Sequence, residues 1–150
     1  MTIRHAAFAF IVLAVAAAGC SGSPDTLTSP SAANGSLALT ADQIAGTWRL
    51  SSMQVAGEAA QTAPAGATYT LSLADGRLST RVDCNTCGGA FTLAGKTLNA
   101  GPALACTKAA CPTMAFEIVY TGILSGESTV TLSGNTLVLN STRGALYFAR

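Results

Sequence analysis

The chain has 150 residues, of which only 10% are charged, and a formal net charge of +1. No basic stripe breaks that balance, which excludes the electrostatic footprint of a nucleic-acid binder. The single histidine is His5, inside a segment that reads as a removable leader. What remains has no Ser–His or Cys–His nucleophile and no His-ligated metal site.

Residues 1–19 read as an export signal, with Arg4 as the basic n-region and Ala6–Ala18 as the apolar stretch. That stretch of thirteen residues is short of the roughly 20 needed to span a bilayer as a helix. Ala17-Ala18-Gly19-Cys20 resembles a bacterial lipobox, in which the cysteine is diacylated and becomes the new N terminus. The resemblance implies a lipid modification on Cys20 and attachment to a membrane. Ser21 follows rather than an aspartate, which in enteric-type bacteria implies transfer to the outer membrane, facing the periplasm. Cleavage before Cys20 leaves seven basic and seven acidic side chains.

Residues 20–39 are expected to comprise the lipidated Cys20 and a Ser/Thr/Pro/Gly-rich tether, too poor in apolar side chains to order itself. Such a tether holds the domain about 25 Å from the membrane on average. One folded domain follows over residues 40–150. Thr40 and Gln43 frame a capped helical turn that Gly46 ends. Thr47–Val55 reads as a strand with Trp48, Leu50 and Met53 inward, and residues 56–67 as a loop.

Tyr69, Leu71 and Leu73 alternate with small polar residues, which marks a half-buried strand. Asp75-Gly76 supplies a hairpin turn, and Leu78, Thr80 and Val82 return with Arg77 and Arg81 on the solvated face. Phe91 and Leu93 lead into a turn at Ala94-Gly95, and Thr97-Leu98 returns. Leu93-Ala-Gly-Lys-Thr-Leu98 matches Leu132-Ser-Gly-Asn-Thr-Leu137, which is repeated hairpin chemistry at irregular spacing.

Pro112–Leu124 breaks the alternation. Pro112 suits a first helical position, and Phe116, Val119, Tyr120, Ile123 and Leu124 fall at helical spacing. Three strands close the chain at Ser128–Leu132, Thr136–Asn140 and Ala145–Ala149. The expected class is α+β: an antiparallel sheet or open barrel of about seven to eight strands, with one main helix near residues 112–124.

Four cysteines, Cys84-x-x-Cys87 and Cys106-x4-Cys111, dominate the chemistry. Export to an oxidising space pairs them as two disulfides, in any of three connectivities. A four-cysteine zinc site and a thiol-redox site are the alternatives, the second with Cys111 activated at a helix start. Among the carboxylates, Glu117 is expected on the exposed helix face or tying down a loop.

Gly46-Thr-Trp48-x-Leu50, Cys84-Asn85, Gly89-x-Phe91, Thr107-x-x-x-Cys111-Pro112, Glu117 and Leu146-x-Phe148 resemble the META domain of HslJ-like heat-shock lipoproteins. The Leu-x-Gly-x-Thr-Leu hairpin belongs to the same likeness, which covers residues 46–149. Asp83 departs from it, standing where the family commonly has glycine, and Ala110 stands where Met usually precedes the second cysteine. The resemblance implies a small α+β domain on an envelope lipoprotein linked to stress or drug tolerance, without established catalysis. Its motif residues here are Trp48, Asn85, Gly89, Thr107 and Glu117. It also implies Cys84–Cys111, the cysteines shared with the family, and Cys87–Cys106, the two that are additional.

The functional expectation is a non-enzymatic binding or scaffold role with no cofactor and no metal. The partners expected are the membrane, through the lipid, and an envelope protein, not nucleic acid, for a monomeric domain. The alternative is an exported thiol–disulfide redox protein built on Cys84-x-x-Cys87 and Cys111.

Overall fold

A computed structural model describes residues 38–150; the leader, Cys20 and residues 21–37 lie outside the described residues. Alternation of apolar and polar side chains organises most of the strands. In β2 (Tyr69–Ala74) and β3 (Arg77–Val82), Tyr69, Leu71, Leu73, Leu78, Thr80 and Val82 are buried, and Arg77, Ser79 and Arg81 are exposed. Asp75 and Gly76 join them with positive φ at both residues, 50° and 71°, the backbone that a two-residue hairpin demands.

The remaining elements are α1 (Ala41–Ile44), β1 (Gly46–Val55), β4 (Asn85–Ala90), β5 (Thr92–Ala94), β6 (Thr97–Ala100) and β7 (Ala105–Cys106). Then come α2 (Met114–Leu124), β8 (Gly126–Ser133), β9 (Thr136–Ser141) and β10 (Gly144–Ala149). The ten strands form one antiparallel sheet in the order β5-β6-β8-β9-β10-β1-β2-β3-β4-β7.

That order explains the curl. β5 forms one edge of the sheet and β4 is next to the other edge, yet only Phe91 separates them in the chain. The sheet must bend round until its ends meet there, which makes a curled half-barrel. Phe91 is buried at this junction, with its N–H donated to Gly76 O at 2.8 Å.

The concave face holds the core and α2 lies over it. Phe116, Tyr120, Ile123 and Leu124 are buried, and Tyr69 stands edge-to-face to Phe116 and Tyr120 at 4.9 and 5.3 Å between ring centroids. Trp48 is fully buried in β1, donating Nε1–H to Ile44 O at 2.8 Å beneath the Arg150 guanidinium. β1 carries a bulge between Leu50 and Ser52 in its pairing with β10. At the far end of that pair a Cβ on Gly144 would fall on the Gln54 carbonyl, with φ at +146°. Only glycine fits there.

Three expectations need correction. The sheet has ten strands, not seven or eight, and two short helices, so the domain is mostly β rather than α+β with one main helix. The additional strands are β4, whose Asn-Thr-Cys-Gly-Gly-Ala sequence has Thr86 as its one strand-favouring side chain beside Asn and two Gly, and β7, a two-residue pairing. The main helix starts at Met114 rather than Pro112, because Pro112 and Thr113 form a turn closed by Met114 N–H donating to Cys111 O. Val119 is 37% exposed instead of inward-facing. Glu117 takes the inward arc, for a reason that lies in the site.

Candidate functional site

Asn85 opens β4 at a point where the chain has just left β3 through a tight turn. Asp83 in that turn has φ of 59°, a left-handed backbone that favours glycine and that Asp tolerates better than most residues. This is the position where Asp83 departs from the resemblance. Its side chain is also used: Asp83 Oδ2 accepts from Thr113 Oγ1 at 2.7 Å, and Tyr69 OH donates to Thr113 Oγ1 at 3.2 Å. The start of α2 is thereby tied to the β3–β4 turn.

Asn85 is 2% exposed and uses both ends of its amide. Nδ2 donates its two hydrogens to Ala109 O and Glu117 Oε2, each at 3.0 Å, and lies 3.2 Å from Cys111 Sγ. Oδ1 accepts from Thr107 Oγ1 and from Ala109 N–H, both at 2.8 Å. Thr107 Oγ1 in turn accepts from Thr86 N–H at 3.0 Å, and Thr107 N–H donates to Thr86 O. Two hydrogens and both lone pairs of one side chain are satisfied, the full capacity of an amide.

Two cysteine pairs lie at disulfide distance around this node. Cys84 and Cys111 have Cα atoms 6.0 Å apart, and Cys87 and Cys106 face each other across β4 and β7 at 4.0 Å. These are the pairs that the resemblance implies. Cys84 and Cys87 are not bonded to one another, as a Cys-x-x-Cys redox dithiol would be. Cys87 is 1% exposed, whereas Cys84 is open to solvent.

The structure therefore brings Cys84, Asn85, Thr107, Cys111 and Glu117 together. Glu117 is 9% exposed, so it is not on the outer helix face; it is drawn inward by the Asn85 amide. Trp48 stands apart in the core. Gly89, further along β4, leaves room for Leu104, because an added Cβ would lie 3.1 Å from Leu104 Cδ2. Cys20 lies outside the described residues.

A second buried polar link leaves little trace in the sequence. Thr80 Oγ1 donates to Thr70 O at 2.6 Å, which leaves it to accept from Tyr120 OH at 2.8 Å. Burial pushes the Tyr120 phenol well above its ordinary range, against the opposing hydrogen bond to Thr80. Tyr69 is raised too, mainly by burial. Thr80 at an inward strand position, where an apolar residue is the norm, was the available signal.

A family model described as the META domain matches residues 38–150. Among solved structures, the chain is similar to an NMR structure of a protein from Burkholderia xenovorans, with 26% identity and a TM-score of 0.58. That match covers 69% of this chain and 80% of the other. A second NMR structure, 23% identical with a TM-score of 0.57, covers 74% and 94% respectively and supports the fold alone. No curated protein matches the chain.

Proposed function

The chain belongs to the META domain family, and from that premise we propose a lipid-anchored envelope protein whose domain binds or scaffolds rather than catalyses. In this reading Cys20 carries the lipid at the periplasmic face of the outer membrane. The domain supports envelope integrity under stress, as a monomer that meets an envelope protein partner.

The observation that carries the reading is the Asn85 node. The residues most specific to the family motif satisfy one another: the buried Asn85 and Glu117 with the Thr107 hydroxyl and the Ala109 backbone at the surface. A catalytic amide keeps a donor or acceptor aimed at the place where charge develops. Here the motif clamps the segment before α2 and the helix itself to β4, which supports a role in holding a shape.

One observation favours the redox alternative. Cys84 is exposed while its partner Cys111 is 8% exposed, with Asn85 Nδ2 against its sulfur. An attacking thiolate would reach Cys84, and Cys111 would leave into a buried position. A disulfide-exchange assay separates the readings. The purified protein is mixed with a dithiol and an excess of a disulfide substrate, and product is counted per protein molecule. The scaffold role predicts less than one turnover beyond the uncatalysed exchange measured without protein. Repeated turnover that Cys84→Ser abolishes would replace it with the redox role.

A further inference from the structure

The three large apolar side chains that stand exposed among the described residues, Met114, Ile118 and Val119, are all on α2. They occur at i, i+4 and i+5, one face of a helix. Pro112 and Ala115 are exposed beside them. Glu117, the one charged residue of α2, is turned away to Asn85. The outer face of the helix thus carries no charge, and a groove of about 430 Å³ between Val119, Gln61 and Pro64 extends it. Clustered exposed apolar surface of this kind marks a place for a partner or a membrane.

Size and tether choose between them. An 11-residue helix is about 16 Å long and about 10 Å wide, far below the roughly 800 Å² per side that a stable protein pair buries. A face this small suits a contact whose other half is held nearby. Cys20 and Ala38 are separated by the 17 residues 21–37, at most about 65 Å even when fully extended. A lipid on Cys20 would keep a domain of about 35 Å diameter beside the bilayer at all times.

We propose that α2 lies flat on the bilayer surface, with Met114, Ile118 and Val119 among the upper acyl chains. The Asn85–Glu117 link holds the helix in that orientation from beneath, and its own charge stays out of the lipid. Interfacial helices bind in this way, with the apolar face a few ångströms below the headgroups. The proposal rests on the lipid-anchored reading and gives it a surface.

The test uses the full chain carrying Ile118→Trp, reconstituted in phosphatidylethanolamine–phosphatidylglycerol vesicles with acyl chains brominated near their headgroup end. Position 118 is 64% exposed, so the substitution leaves the core alone, and wild type with its buried Trp48 is the control. Docking predicts that bromine at least halves the emission of the added indole and leaves Trp48 emission unchanged. Intact mass of the same sample reports acylation of Cys20. An acylated chain without quenching overturns the docking and leaves the anchor standing. An unmodified Cys20 overturns the anchor and, with it, the anchored docking. A blue-shifted indole that bromine does not quench, with cross-linking between two copies of the chain, assigns the face to a protein contact and overturns the proposal.

Discussion

Asn85→Ala tests whether the node holds the domain together. The change removes four hydrogen bonds, to Ala109 O, Glu117 Oε2, Thr107 Oγ1 and Ala109 N–H. A typical intramolecular hydrogen bond contributes about 1 kcal/mol net, and more where one partner is charged. The carboxylate of Glu117, at 9% exposed, loses the donor that drew it inward, and leaving such a group unsatisfied adds about 1–3 kcal/mol. The sum is about 5–7 kcal/mol, a large fraction of the roughly 5–15 kcal/mol that holds a domain folded. Urea unfolding followed by Trp48 fluorescence measures it, since Trp48 is wholly buried and far from the substitution in the chain. Hydrogen exchange should show the segment before α2 and the first helical turn losing protection first. A shift below about 1 kcal/mol, the range of an ordinary surface substitution, would refute the assignment of the node as the domain's main polar clamp.

Gly144→Ala places a Cβ on the Gln54 carbonyl at a φ of +146°, so β1 and β10 must part; thermal denaturation should show a loss of about 3 kcal/mol or more. Thr80→Val removes the acceptor for Tyr120 OH, and denaturant titration should register about 1–3 kcal/mol of destabilisation. The raised phenols of Tyr120 and Tyr69 set a pH dependence. Below the unfolded value near 10 both states hold the proton and this contribution is full; above it the unfolded state ionises first and stability falls. Melting temperature followed across that window should be flat on the acid side and decline on the alkaline side. Ser128 Oγ is buried without a hydrogen-bond partner, so Ser128→Ala should leave chemical stability unchanged or raise it, in contrast to the other substitutions.

Much of the sheet was legible because its strands obey a two-residue rhythm: Tyr69-Leu71-Leu73 and Leu78-Thr80-Val82 fall as burial finds them. β4 was not, since Asn85, Gly88 and Gly89 disfavour strands and Thr86 alone favours one; pairing with β3, and Cys87 facing Cys106, place it there. The helix boundary slipped by two residues because Pro112 fits a first helical turn as well as the turn before it. Glu117 shows the deeper limit. Its place on the helix suggested solvent or a tie to a loop, and only a buried amide 32 residues earlier explains why it faces inward. Long-range polar partnerships of this kind leave no local periodicity, so the motif could be recognised in the sequence while its geometry could not.

The most direct measurement is the intact mass of the membrane-extracted protein after thiol alkylation without reductant. The expected result is an N-terminal Cys20 bearing acyl chains and no alkyl group on Cys84, Cys87, Cys106 or Cys111, with peptide mapping joining Cys84 to Cys111 and Cys87 to Cys106. An unmodified Cys20 together with freely alkylated thiols, or other pairings, would contradict a lipid-anchored domain stapled in this way.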